Sequence, residues 1–224
     1  MTSKHSIFTL AFYSALLLST AGTASAGEIG VGVTAGTDGV GAHVKTALSS
    51  HITVSGGYSY LKFGRDEAYD GIDYAGDLKL SNFSGFVNLH PFGNGFNISG
   101  GAYVGSKYLD LLATPTQSVN VGDVLFTPAQ IGTLVGRANL KDFAPYAGIG
   151  YDSFANAQGN WSFNAKLGVM FTGSPEVDMN SVGGTLSNNP AFNTELAKEI
   201  TSLEQDIEDY KYYPTVSLGI TRKF

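Results

Sequence analysis

The sequence predicts an all-β protein: an eight-stranded antiparallel transmembrane β-barrel with short turns at one end, longer loops at the other and one amphipathic helix in the last loop. Three observations predict it. An export signal opens the chain, side chains alternate with period two along most of its length, and short turns alternate with long loops.

The export signal occupies residues 1–26. Lys4 supplies its positive charge, an apolar run from Ser6 to Gly22 follows, and Ala24-Ser25-Ala26 has the small-x-small form that a signal peptidase reads. Cleavage leaves one domain, residues 27–224. A retained membrane helix is the alternative, and the small residues before Gly27 argue against it. With no cysteine there is neither a lipoprotein anchor nor a disulfide framework. After Gly27 no apolar run is long enough to cross a bilayer as a helix, so a membrane role requires strands. Of the 13 Lys and Arg, loss of Lys4 leaves 12 against 19 Asp and Glu, a formal charge of −7. That balance excludes nucleic acid as a partner, because phosphate backbones need a basic surface. The 29 glycines and 12% aromatic content suit twisted strands with aromatic girdles.

The strands follow in order. Ile29, Val31, Val33 and Ala35 alternate with Gly30, Gly32, Thr34 and Gly36, and Thr37-Asp38-Gly39 turns the chain. Val40, Ala42, Val44, Thr46 and Leu48 then oppose Gly41, His43, Lys45 and Ala47. After Ser49-Ser50, Ile52, Val54, Gly56, Tyr58 and Tyr60 oppose Thr53, Ser55, Gly57 and Ser59. GRDEAYDGIDYAGD reads as a polar loop, after which Phe83, Gly85, Val87 and Leu89 alternate with Ser84, Phe86, Asn88 and His90. HPFGNG turns into a strand with Phe96, Ile98, Ala102 and Val104 on its apolar side, and a long loop covers about residues 110–135. Pro145, Ala147, Ile149 and Tyr151 mark the sixth strand, and WSFNAKLGVMF, from Trp161 to Phe171, marks the seventh. A loop over about residues 180–209 leads to YYPTVSLGITRKF, with Val216, Leu218, Ile220 and Phe224 in phase. Strands of roughly ten residues span a bilayer when tilted, and the turn asymmetry matches tight periplasmic turns with longer extracellular loops. A soluble sandwich also alternates, but it explains neither the signal, the loop asymmetry nor the in-phase terminal Phe224.

Candidate site residues follow from parity. His43, Lys45, Lys107, Tyr146 and Lys166 have inward parity and are lumen-lining candidates. If the ANAQG turn sets register so that residues 152 and 160 face each other, Lys166 lies beside Tyr146 and Asn164 beside Gly148, while Ile149 meets Phe163 and Ala147 meets Ala165 outside. Eight strands enclose a space that side chains can fill, so a satisfied polar plug competes with a solute pathway. Asp66, Glu67, Asp70 and Asp73 in one loop, with Glu204, Asp206, Glu208 and Asp209 in another, are candidates for an acidic extracellular rim. Such a rim would gather cations, or else serve loop solubility or divalent-ion bridging to lipopolysaccharide. In the last loop, Leu196, Ile200, Leu203 and Ile207 recur at helical spacing after a candidate Asn193 cap, which reads as a lid over the barrel mouth or a partner-binding helix. Catalysis is not expected: His43 alone could sit near the outer leaflet, with no acid at matching strand height. No metal-ligand cluster or cofactor motif is present in the sequence.

NLHPFGNGFNISGGAYV, DFAPYAGIGY, LGVMFTGSPEVDM and DYKYYPTVSLGITRKF resemble, in order and spacing, the CarO-like family of small Gram-negative outer-membrane channel proteins. The resemblance implies an eight-stranded barrel in the outer membrane that takes up small polar solutes, such as basic amino acids. The C-terminus also resembles the signal that the barrel-assembly machinery reads, with Gly219 and terminal Phe224 in place and Arg222 where an aromatic is usual. The expected function is a narrow channel or uptake protein for small polar, cationic solutes, with lipid and lipopolysaccharide as its surroundings and a monomer as its form. The competing expectation is a closed structural or surface-interaction barrel that binds lipopolysaccharide, a host molecule or an envelope protein.

Overall fold

The computed structural model describes residues 28–69, 72–155 and 159–224. The export signal, Asp70 and part of the ANAQG turn lie outside these residues. The strands are β1 (Ile29–Gly36), β2 (Gly39–Ser49), β3 (Ile52–Tyr69), β4 (Ile72–Leu89), β5 (Phe96–Pro115), the short β6 (Val119–Val121) and β7 (Val124–Phe126), β8 (Gly132–Leu140), β9 (Phe143–Asp152), β10 (Trp161–Phe171), β11 (Glu176–Gly183) and β12 (Tyr212–Lys223). Two helices, α1 (Pro128–Ile131) and α2 (Pro190–Asp206), complete the fold.

Eight of these strands close a ring, β1-β2-β3-β4-β5-β9-β10-β12 and back to β1, with every neighbour antiparallel. Closure pairs the backbone groups of the wall and leaves no open edge for lipid to meet. Outward residues are apolar and exposed: Val31, Val44, Val87, Ile98, Ile149, Leu167, Leu218 and Ile220 among them. Aromatics bound this belt below (Phe96, Tyr151, Trp161, Phe224) and above (Tyr58, Tyr60, Phe83, Phe143, Phe171, Tyr212). The eleven residues of β10 reach from one girdle to the other. At about 3.3 Å per residue and a tilt of about 40°, the belt is about 25 Å tall, the height of a bilayer core. Among the described residues no helix is long and apolar enough to cross a membrane.

The upper end departs from expectation. GRDEAYDGIDYAGD is not a loop: β3 and β4 pair continuously up to Tyr69 opposite Ile72. Residues 110–135 likewise contain the end of β5, the β6–β7 hairpin and α1, and the predicted loop after Asn180 contains the end of β11 and α2. The segments looked like loops because both faces of this hairpin tip meet water, with residues 62–67 all exposed, so no alternation marks them. The result is a wall of β3, β4, β5, β8 and β11 standing above the ring.

Two strands are interrupted between ring and wall, one between β8 and β9 and one between β10 and β11. β8 and β9 share one register against β5, Lys107 opposite Leu140 and Val104 opposite Phe143, with Lys141-Asp142 between them. At that break Gly105 adopts φ +147 and donates its N–H to the Asp142 carbonyl at 2.9 Å; a Cβ there would stand 2.1 Å from the Ser81 carbonyl. The Lys107 ammonium bonds the carbonyls of Gly105, Lys141 and Asp142 at 3.0, 3.3 and 2.8 Å, satisfying oxygens that the break frees.

α2 covers the lumen-side face of the wall. Its Asn189 cap accepts the N–H groups of Ala191 and Phe192, so the helix starts one turn before the expected Asn193. Phe192 and Leu196 are buried with Ile131, Val121 and Phe126, against Leu134, Met179 and Ile200. Carboxylates of α2 finish the docking: Glu204 accepts the Val177 N–H at 2.8 Å, Glu199 that of Gly122 at 3.1 Å and Glu195 that of Asp123 at 3.0 Å.

Candidate functional site

The lumen is the candidate site, and its lower end is shut from within. Instead of turning tightly, the segment after Asp152 folds Phe154 up into the barrel, where it is 0% exposed. One Asp152 oxygen accepts the Phe154 N–H at 3.0 Å, and the other is paired with Lys45. Lys45 and Lys223 present their ammonium groups to the Phe154 ring at 5.8 and 5.2 Å, and Lys223 also pairs with Glu28 at 2.9 Å. A hydrogen-bonded layer lies beside them. Asn88 donates to Thr53 at 3.1 Å, Thr53 meets His90 at 3.3 Å, and Ser99 donates to Asn88 at 2.6 Å.

Phe154 also explains why the expected register is wrong. Lys166 lies opposite Gly150, Asn164 opposite Asp152, and Tyr146 opposite Met170; outside, Ile149 meets Leu167 and Ala147 meets Val169. The inserted segment takes up residues that a tight turn would have given to the ladder, and the strands slide by four. Because four is even, every side chain keeps its expected face.

The upper end of the lumen is closed by rings. Phe86, Tyr103 and Tyr146 meet edge to face at 5.0 to 5.8 Å, joined by Met170 and Ala144. Tyr146 lies across a paired Gly148 and Gly168, whose Cβ atoms would stand 2.3 and 2.4 Å from its hydroxyl. Above it the short first turn bends Asp38 inward to 5% exposure, where it accepts the Tyr103 hydroxyl at 3.0 Å. The Tyr213 hydroxyl donates to the Thr37 carbonyl at 2.6 Å and holds that turn down.

Between plug and rings is a cavity of about 30 Å³, with Asp38, His43, Lys45, Ser55, Ser59, Asn164 and Lys166 in its wall. His43 meets Thr221 at 2.8 Å, and Lys166 sits over the Phe86 ring at 4.1 Å. Asp38 Oδ1, Ser55 Oγ, Ser59 Oγ and Asn164 Nδ2 are buried with no hydrogen-bond partner among the described protein groups. The structure thus brings His43, Lys45 and Lys166 to one cavity. Tyr146 stands in the ring cluster above it, and the Lys107 ammonium is spent on the strand break.

Sequence reasoning missed Asp38 and Phe154 as lumen residues; Phe86 and Tyr103 have inward parity in the sequence but were not among its lumen candidates. An acid in a three-residue turn and an apolar residue just after the strand end at Asp152 were the signals that could have found the first two.

The acidic candidates form two groups. Asp66, Glu67 and Asp73 stand at the tip of the β3–β4 hairpin, where Glu67 pairs with Arg65 at 3.2 Å. Glu204 is bound to β11, while Asp206, Glu208 and Asp209 are exposed at the end of α2 and just beyond it. In the assembly-signal segment, Phe224 is exposed and donates its N–H to Ile29 at 2.9 Å, and the Arg222 guanidinium lies 5.4 Å from the Phe224 ring. Gly219 lies opposite Asn164 and Thr34. Among the described residues no three His, Asp or Glu side chains are grouped to hold a metal ion.

No protein-family model and no curated protein sequence matches the chain. Solved structures do, two of them from one bacterium. The crystal structure of Acinetobacter baumannii CarO2 aligns with a TM-score of 0.62 at 20% identity, over 90% of this chain and 100% of that one. The crystal structure of Acinetobacter baumannii CarO aligns with a TM-score of 0.57 at 22% identity, over 87% and 97%. An eight-stranded ring, an apolar belt between aromatic girdles and these alignments along most of both chains lead to one conclusion: the protein has the CarO-like fold.

Proposed function

We propose that the protein is a narrow, gated channel of a Gram-negative outer membrane, admitting small polar solutes, with the short-turn end in the periplasm and the α2 wall outside. The observation that carries the reading is the cavity between two closures made of side chains, with four polar groups in its wall left without partners. A barrel serving only as a support would gain by satisfying them. Opening requires the Phe154 segment to leave and the upper rings to rotate, and neither breaks the ladder. No chemical step is assigned to any residue.

Basic amino acids are the solutes that the family resemblance names. Asp66, Glu67, Asp73, Asp206, Glu208 and Asp209 would concentrate them outside, while Lys45 and Lys166 oppose free cations within. Lipid and lipopolysaccharide surround the belt, the Gly219–Phe224 segment is the part offered to the barrel-assembly machinery, and the barrel works as a monomer. Uptake of arginine, ornithine and lysine into proteoliposomes tests the reading. Entry no faster than into empty vesicles would overturn it.

The second reading is a closed barrel that carries a surface-interaction domain. The observation favouring it is that both ends are occluded while the upper wall has its own core of Val121, Phe126, Ile131, Phe192 and Leu196. It forecasts no solute flux and binding of lipopolysaccharide or an envelope protein that is lost when α2 is removed.

A further inference from the structure

We infer that the mid-lumen cavity is a binding site for a small uncharged dipolar solute of the primary-amide class, with a carbonyl at one end and N–H donors at the other. The charges in its wall decide the class. Lys45 is committed to Asp152. Asp38 spends one oxygen on Tyr103 and leaves Oδ1 without a partner. Lys166 faces the Phe86 ring and, among the described residues, forms no ion pair with a carboxylate. One unmatched negative group and one unmatched positive group therefore share the cavity, with His43 engaged by Thr221. Their charges balance. A bound anion or cation would add an uncompensated charge to a buried space, whereas a dipole adds none.

The polar atoms agree with this polarity. Lys166 Nζ and Asn164 Nδ2 are donors on the same strand, and they fit a carbonyl oxygen. Asp38 Oδ1 is an acceptor and fits an N–H. Ser55 and Ser59 hydroxyls can serve either end. Asp38, Ser55, Ser59 and Asn164 are each at least nine-tenths buried and line the cavity. Its volume of about 30 Å³, at about 10–15 Å³ for one water, offers the room of about two waters, which formamide or urea fills and an arginine side chain does not. The inference rests on the reading that solutes reach the lumen.

The test is binding of formamide to the detergent-solubilised full-length barrel, followed by saturation-transfer NMR and by a crystal soaked in formamide. Expected are saturable binding, density bridging Asp38 and Lys166, no comparable binding of sodium formate or methylammonium chloride, and affinity at least tenfold weaker in Lys166→Met. Ser59→Ala, checked for folding by heat-modifiable gel migration, provides a second variant with a smaller loss. Ordered water alone in the cavity, equal binding of the charged probes, or a folded Lys166→Met with unchanged affinity would each overturn the inference. A barrel that binds formamide yet passes no solute into liposomes keeps this site and removes the transport reading. One that passes solutes without saturable formamide binding does the reverse.

Discussion

Asp152→Asn tests whether the buried Lys45 pair holds the lower end of the lumen shut. The substitution keeps the shape of the side chain, and its oxygen still accepts the Phe154 N–H, but the charge facing Lys45 is gone. The two side chains are 1% and 4% exposed, so Lys45 is left charged and dry. Breaking one side of such a pair costs about 3–5 kcal/mol. The cost falls on the closed arrangement, because once the Phe154 segment leaves, water solvates the ammonium group. At about 1.4 kcal/mol per factor of ten, the closed-to-open ratio falls roughly 10²- to 10⁴-fold. Planar-bilayer recording reads this as a higher open probability, with heat-modifiable migration showing that the barrel has folded. Replacing both partners, Lys45→Met with Asp152→Leu, removes the stranded charge and returns conductance toward the parent level. A folded Asp152→Asn barrel with the parent open probability refutes the reasoning, as does a double variant that conducts as well as the single one.

Other expectations concern the upper wall and the assembly of the barrel. Lys107→Met removes the ammonium from the carbonyls of Gly105, Lys141 and Asp142, of which Asp142 keeps the Gly105 N–H; at about 1–3 kcal/mol for a buried group left unpaired, limited proteolysis should cut near Lys141 while the ring stays folded. Leu196→Ala opens a cavity under α2 at a cost of about 2–5 kcal/mol, which should appear as faster amide exchange across α2 and β6–β7 and leave β1, β2 and β12 unchanged. Hydrogen bonds from Lys198 and then from the Asp123 N–H hold Glu195 below its ordinary 4.5. A lowered carboxyl stabilises the docked helix above about pH 4.5 and loses that contribution as pH falls through the lowered value. Lys198, raised above 10.5 first by Asp123 and then by Glu195, stays protonated through the acid range, so the loss there follows the carboxyl alone. Exchange at Gly122 and Asp123, corrected for intrinsic rates, should therefore accelerate as the pH is taken below about 4.5. Phe224→Ala should lower the yield of folded barrel in assembly assays without changing the exchange of the ring once formed, since the Phe224 side chain is exposed and lies beside Arg222 at the lower girdle.

Face assignment was legible in the sequence because it is local. Trp161, Phe163, Leu167 and Phe171 point outward, and Asn164 and Lys166 inward, whatever the register. The eight-strand count, the closed ring and the amphipathic helix followed from the same alternation and from the spacing of Leu196, Ile200 and Leu203. Register was not legible, because it depends on how many residues a turn consumes, and that depends on Phe154 finding a hole at the barrel's lower end. The upper strands were not legible for the opposite reason. Residues 62–67 are exposed, so strand pairing leaves no mark on their hydropathy.

The amino-acid order by itself thus determined which side chains meet lipid and which meet the lumen, since a pleated strand sorts neighbours to opposite faces without reference to anything distant. Only the tertiary structure decided what the inward groups do there. Closing the ring brings Asp152 to Lys45, Asp38 to Tyr103 and the Lys107 ammonium to three carbonyls, and leaves Lys166 over a ring on the same strand as Asn164, whose Nδ2 has no partner among the described residues. Those meetings join residues up to 107 positions apart. The strength of each depends on burial and distance across the lumen, quantities that exist only once the barrel has closed.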